Sequence, residues 1–209
     1  MLKENAQSLE RIADQFSLSH TVAEKFTIFI DLLEEWSKKM NLVSSADVKK
    51  ISEKHLADSL QFENFGLVPV SGTLLDLGSG AGFPGLVLAI LKPGLFVTLL
   101  DSQRKRALFL NEAVSTLQVP NAKVVCERAE ALQLDETERF DVITARAVAS
   151  LEKLWSWSSE LLKPRGVVVA QKGGNLDDEI LALNRKFDVE CKIIPIPSGS
   201  DKKFVLLSV

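Results

Sequence analysis

The sequence predicts an α/β domain: a seven-stranded, mostly parallel sheet with helices on both faces and its last strand antiparallel, behind a helical N-terminal cap. Three observations predict it. From Thr73 onward, short β-rich runs alternate with longer helical stretches, the pattern that parallel βαβ units leave in a sequence. The first of these runs ends in a glycine-dense stretch, Asp76 to Gly85, where the backbone must turn sharply from strand into helix. Between the last two runs stand only Pro197, Ser198, Gly199, Ser200 and Asp201. That is too short for a crossover helix, so those two strands pair as an antiparallel hairpin.

Residues 1–70 carry no strand-like alternation and few Gly or Pro, and they form the cap. Thr21 is placed to cap a helix whose Phe26, Phe29, Ile30, Leu33 and Trp36 recur at spacings of three and four. Ser45 is placed to cap a second helix carrying Val48, Ile51, Leu56 and Leu60. The sheet domain occupies 71–209. Its strands are expected at Thr73 to Leu77, Phe96 to Leu100, Lys123 to Cys126, Asp141 to Thr144, Val167 to Ala170, Cys191 to Ile196 and Phe204 to Ser208. Helices fit at Pro84 to Leu91, Arg104 to Leu117, Leu151 to Leu162 and Leu176 to Phe187, with Pro84 pre-shaped for a first helical turn.

Composition sets the outer limits. A chain of 209 residues, 46% hydrophobic and 25% charged, has the balance of an ordinary water-soluble globular protein. Apolar runs such as Leu86 to Leu91 and Gly166 to Ala170 are too short to span a bilayer, and residues 1–5 lack a signal-peptide core. A cytoplasmic protein with no membrane partner is expected. Cys126 and Cys191, far apart and without a CxxC or a nearby His pair, indicate neither zinc nor a disulfide, and both are expected in the core. The net charge of −3 argues mildly against nucleic acid. Its distribution argues the other way, because Lys38, Lys39, Lys49, Lys50 and Lys54 gather in the cap and Arg104, Lys105 and Arg106 after the second strand. Each cluster alone reads as a solvated helix face; together they are candidates for one nucleic-acid-binding face.

The glycine stretch admits two cofactors. Gly80-x-Gly82-x-x-Gly85 matches a dinucleotide fingerprint, and Asp101 ends the next strand where a ribose-binding acid belongs. Three features favour S-adenosylmethionine over NAD. Asp76 places a carboxylate just ahead of Gly78 and Gly80, where it suits a cationic methionine end and would repel a pyrophosphate. Ala129-Glu130 follows the third strand, where S-adenosylmethionine enzymes of this class grip adenine. The terminal hairpin is the third, being the methyltransferase variant of the Rossmann fold. After the fourth strand the chain has Thr144-Ala-Arg-Ala-Val148, neither the Asn-Pro-Pro-Tyr-like loop of exocyclic amine methylation nor the cysteine of pyrimidine carbon methylation. A ring nitrogen with a free lone pair is the acceptor these absences favour.

A wider set of motifs resembles one family. Trp36 with Asn41-Leu42, His55 with Asp58-Ser59-Leu60, Asp76 to Gly85, Leu100-Asp101-Ser102 with Lys105-Arg106 and Phe109-Leu110, Arg128-Ala129-Glu130, Phe140-Asp141, Ala145-Arg146-Ala147 and Lys172-Gly173 are together similar to the bacterial ribosomal small-subunit methyltransferase G family, also called glucose-inhibited division protein B. That family methylates N7 of one guanosine in 16S ribosomal RNA. The resemblance implies a class I methyltransferase fold, S-adenosylmethionine as cofactor, no catalytic metal, and 16S RNA or the small subunit as partner of a monomer. It implies cofactor contacts at Gly78, Phe83, Ala129, Glu130 and Arg146, with Asp101 on the ribose. Asp76 and Gly80 join them from the glycine loop, and His55, Lys105, Arg106 and Lys172 are expected on the RNA side. Val43-Ser44 and Lys203-Phe204 depart from the family's usual Thr-Ala and Arg.

Arg146 is the expected catalytic residue, clamping the methionine carboxylate or donating to guanine O6; its alternative is a surface pairing with Glu130 or Asp101. Competing functions are a methyltransferase of another RNA or of a small molecule, an NAD-dependent oxidoreductase, and a cofactor-binding RNA chaperone without transfer activity.

Overall fold

A computed structural model of the chain describes residues 1–132, 134–197 and 201–209. Its sheet has seven strands in the order β3-β2-β1-β4-β5-β7-β6: β1 Gly72–Leu77, β2 Leu95–Leu100, β3 Ala122–Val125, β4 Phe140–Arg146, β5 Leu162–Gly173, β6 Glu190–Pro195 and β7 Lys202–Ser208. β1 to β5 pair in parallel, and β7 enters antiparallel between β5 and β6. The expected hairpin is therefore present, though Ser198, Gly199 and Ser200 of its connection lie outside the described residues.

Alternation along the strands supplies two cores. Leu74, Val97, Leu99, Val142 and Val169 point to one face, where they meet Phe26, Phe29, Ile30, Phe62, Leu86 and Phe109. Leu75, Leu77, Ile143, Ala145, Val168 and Ala170 point to the other, against Leu151, Leu154, Trp155 and Leu183. The first face is covered by α1 (Lys3–Gln15), α2 (His20–Ser37), α3 (Ala57–Asn64), α4 (Gly85–Leu91) and α5 (Arg104–Thr116), and the second by α6 (Leu151–Ser158) and α7 (Asp177–Asn184). The cap thus shares one apolar cluster with the sheet, and burial of this area is what holds it there.

Four expectations need correction. α2 is capped by Ser19, not Thr21: Ser19 is extended and its hydroxyl accepts from the Val22 amide at 3.4 Å, whereas Thr21 already lies in the first turn. The helix expected from Ser45 is broken into a 3₁₀ turn at Val48–Lys50, a π turn at Ile51–Leu56 and then α3; no side chain caps the 3₁₀ turn, and the Ser44 hydroxyl accepts from the Asp47 amide at 3.2 Å in the turn before it. The wide π turn shifts the helical register, burying Ile51, Leu56 and Leu60 while His55 and Asp58 line a cavity. Neither cysteine is fully buried. Cys126 is exposed just past the end of β3, and Cys191, on the edge strand β6, is partly buried against the second core. Finally, β5 starts at Leu162, pairing with Phe140 before the register shifts to Val142 with Val167; Lys163-Pro-Arg-Gly166 is accommodated in that irregularity, where Pro164 owes no ladder bond.

Candidate active site

All the chemistry-bearing residues gather at the carboxyl edge of the sheet, where α/β proteins place their sites. The loop after β1 is built from its own backbone. Gly78, Gly80 and Gly82 have φ of +73°, +57° and +89°, and at Gly78 an added Cβ would come within 2.9 Å of Val148. Asp76, 1% exposed, lies beneath this loop. One of its oxygens accepts from the Gly85 amide at 3.0 Å and the other from the Thr144 hydroxyl at 2.9 Å. Burial pushes its carboxyl up to about 6, against the lowering effect of those donors. Its expected role at the methionine end is thus not the geometry found: the carboxylate faces the loop and ties β1, α4 and β4 together.

Asp101, 3% exposed at the end of β2, accepts from the Gly80 amide at 2.9 Å and the Gln103 amide at 2.8 Å, with Arg106 at 3.5 Å. A carboxylate has about four acceptor positions, so capacity remains for a ligand's hydroxyls. Beside it a narrow cavity of about 170 Å³ runs between Gly78, Asp101, Ala129, Glu130, Val148 and Trp157. Apolar walls with a carboxylate at the mouth fit a flat adenine and its ribose, and the space that Gly78 leaves is where a Cβ would obstruct it. These residues fit S-adenosylmethionine.

A second cavity, of about 510 Å³, continues from Gly78 and Gly80 to the cap. It is lined by Phe83, His55, Asp58, Arg146, Lys172 and Lys202, with Arg106 at its rim. Arg146 closes β4 but pairs with neither Glu130 nor Asp101. Its guanidinium lies 2.9 Å from His55 Nδ1, 3.6 Å from Asp58 and 5.5 Å from the centre of the Phe83 ring, and His55 stacks on the same ring at 5.5 Å. Guanidinium groups only donate, so His55 Nδ1 accepts and its proton sits on Nε2. Burial, then the Arg146 charge, lowers the His55 pKa to about 4, leaving the ring neutral at pH 7. Burial also lowers the Arg146 pKa against the pull of Asp58, Asp76 and Asp47; the group stays charged.

Lys172 donates to the Ala149 carbonyl and pairs with Glu179, both at 2.8 Å. Lys105 is exposed and lines neither cavity, next to Arg106, which does. In the cap, Lys49 pairs with Glu4 at 3.3 Å and Lys54 with Asp47 at 2.8 Å. Three site residues escape a reading of the sequence alone. Lys202 holds Asp58 at 2.7 and 2.8 Å, and Gln171 ends the buried part of β5 beside Arg146. Asp58 stands three positions after His55, a helical spacing that signals one shared face; Lys202 and Gln171 carry no such local signal. Among the described residues, no cluster of His, Cys, Asp and Glu could hold a metal ion, and no helix is long and apolar enough to cross a membrane.

Known proteins similar to this chain fall in one family and one fold. Residues 22–203 match the model of a family described as GidB: rRNA small subunit methyltransferase G. The ribosomal RNA small subunit methyltransferase G of Desulforamulus reducens is 34% identical over 190 residues, covering 90% of this chain and 77% of that protein. Its namesake in Xanthomonas euvesicatoria is 40% identical over 176 residues, covering 84% and 81%. Among solved structures, a SAM-dependent methyltransferase from Aquifex aeolicus superposes with a TM-score of 0.56 at 18% identity, over 72% of this chain and 88% of that one. A TehB-like SAM-dependent methyltransferase from Corynebacterium glutamicum gives 0.53 at 18%, over 72% and 86%. At such identities the two structures speak for the fold alone.

Proposed function

We propose that this chain, which belongs to the rRNA small subunit methyltransferase G family, transfers a methyl group from S-adenosylmethionine to N7 of a guanosine in 16S ribosomal RNA. The observation that carries this is a pair of adjoining cavities. One is framed by Asp101, Ala129 and Glu130; the other leads from the same Gly78 past Arg146 to Lys172 and Lys202. A cradle suited to a nucleoside therefore shares its Gly78 wall with a cationic chamber suited to a nucleotide. S-adenosylmethionine, when bound, supplies an electrophilic methyl group.

The residues divide the work. Asp76 fixes the glycine loop through Gly85 and Thr144, and Asp101 orients the Gly80 amide while keeping lone pairs free for the ribose. Glu130 and Ala129 bound the adenine side. Arg146, cationic and partly buried, is placed to hold the methionine carboxylate or to donate to guanine O6. Guanine N7 is an unprotonated acceptor, so no base has to remove a proton. His55 fits that requirement: its Nδ1 lone pair is taken by Arg146 and its proton sits on Nε2, so it orients the guanidinium and offers no free lone pair. Catalysis then rests on holding the two reactants as a near-attack pair, which by itself supplies on the order of 7 to 11 kcal/mol. 16S RNA or the small subunit is the partner this reading favours, and the cationic lining with Lys172 and Arg106 is its side of the site.

Mapping N7-methylguanosine in 16S RNA from a strain lacking the gene, against wild type, tests the reading. Loss of one modified position supports it; an unchanged map overturns it.

A further inference from the structure

Gln171 is polar in a place where the fold has no use for polarity. It is 5% exposed, follows the buried Val169 and Ala170, and is flanked in register by Arg146 on β4 and Phe204 on β7. It lines the larger cavity. Its side-chain nitrogen is one of four buried side-chain atoms without a hydrogen-bond partner among the described residues. Leaving a buried donor unsatisfied is destabilising, and an apolar residue of the same volume would relieve the cost. A carboxamide kept there is a group whose partner comes from outside the fold.

Position says which partner. The cofactor cradle is made by the loops after β1, β2 and β3, with Val148 after β4 and Trp157 of α6 as its far wall, and nothing from β5 lines it. Gln171 lies on the opposite side of β1, two strands away and beyond Arg146, which is the acceptor's half of the edge. Chemistry narrows it further. A carboxamide sets a donor and an acceptor side by side, matching the C6 carbonyl and N1–H of a 6-oxopurine. An amide alone could turn over and match a 6-aminopurine equally well. The cations on this wall, Arg146, Lys172 and Lys202, donate only, so the substituent at C6 must accept. The carboxylate of Asp58 is already held by Lys202 and Arg146.

We propose that Gln171 is the specificity-determining residue for the acceptor base, reading O6 and N1–H of guanine and leaving N7, on the far side of the carbonyl, open to the methyl group. The inference rests on the functional reading above. Specificity follows from unpaired groups: a base with an amino group at C6 would face donors with a donor, an arrangement that hydrogen-bonding sites reject strongly.

The test compares wild type with Gln171→Met and Gln171→Leu in three measurements. The thermal midpoint of the free proteins should rise by about 2 to 4 °C in the better-packed variant, since an orphaned donor has been removed. S-adenosylhomocysteine affinity by calorimetry should stay within about twofold. The kcat/KM for small-subunit particles from a strain lacking the modification should fall about tenfold or more, the effect of losing a hydrogen bond to the base. Transfer by both variants within twofold of wild type overturns the inference, and so does a matching loss of S-adenosylhomocysteine affinity, which would assign the amide to the cofactor. A wild-type protein that binds S-adenosylhomocysteine but transfers nothing to the particles overturns the functional reading instead, and this inference with it.

Discussion

The buried carboxylates beneath the glycine loop end on three backbone amides and one hydroxyl, whereas the polar groups of the cap-side cluster end on one another. Asp76 and Asp101 take the amides of Gly85, Gly80 and Gln103. His55, Asp58, Arg146 and Lys202 instead form a chain of side-chain pairs, two of which span 91 and 144 positions of sequence. The first region is fixed once β2 and β4 have paired beside β1 and brought Asp101 and Thr144 to the loop. The second exists only when cap, β4 and β7 are all in place, and it retains donors at His55 and Gln171 without a partner among the described residues. A cofactor cradle that is the same at every turnover suits the first kind of construction, and a chamber that must admit and release a large RNA suits the second.

If that contrast is right, the largest effect comes from Asp76→Ala. It strands the Gly85 amide and the Thr144 hydroxyl in the interior, at roughly 1 to 3 kcal/mol each, so the variant should lose about 2 to 6 kcal/mol in urea unfolding. No comparable loss is expected from Asp58→Asn, whose partners reach solvent. Equal losses in the two variants would erase the distinction between the regions.

Acid titration sharpens it, because the two regions have opposite signs. The Asp76 carboxyl is raised from 3.8 to about 6, so its contribution is full below 3.8 and is lost as pH rises through about 6. His55 is lowered from 6.5 to about 4, so its contribution is present above 6.5 and is lost as pH falls through about 4. Each is worth on the order of 3 kcal/mol, and between pH 4 and 6 they oppose each other. Relative to wild type, Asp76→Asn should lose stability on acidification across that window, and His55→Gln should gain it. Two variants that move in the same direction would contradict the assignment.

A smaller effect is expected at Asp101. Removing its charge-assisted bonds in Asp101→Ala should weaken S-adenosylhomocysteine binding by about 1.5 to 3 kcal/mol by calorimetry, with folding checked by circular dichroism. Unchanged affinity would leave the carboxylate only its role in holding Gly80 and Gln103. The smallest belongs to the cap. Replacing Lys49, Lys50 and Lys54 with Ala should lower RNA affinity, leave S-adenosylhomocysteine binding alone, and flatten the salt dependence of log K by about 0.7 to 0.9 for each phosphate no longer neutralised. Two of the three already pair with Glu4 and Asp47, which keeps the expected change modest. Identical salt slopes would move the RNA to another surface.

The same contrast explains what can be read from the sequence. The sheet, its order of strands and helices and the glycine loop follow from periodicity and from residues within one βαβ unit, and those elements lie where expected to within a few residues. That Asp101, Ala129 and Glu130 share one cavity is legible because each follows a strand at the sheet's carboxyl edge. Arg146 is legible as a residue but not by its partners, since Asp58 and His55 reach it from the cap. Lys202 becomes a site residue only through the antiparallel register that sets it opposite Gly173. The cysteines are misplaced for a related reason: a strand's composition says neither that it is an edge nor where it ends. The break from 3₁₀ to π to α between Val48 and Asn64 is hidden because apolar spacing cannot register one inserted residue.

The central claim, methyl transfer to a ribosomal guanine N7 by positioning, is tested most directly by incubating the purified protein with radiolabelled S-adenosylmethionine and small-subunit particles from a strain lacking the modification, then cleaving the RNA with borohydride and aniline. Label at one guanosine and strand scission at that same nucleotide, the signature of a 7-methylated ring, are the predicted result. Label without scission, or particles left unlabelled by a protein that binds S-adenosylhomocysteine, would contradict it.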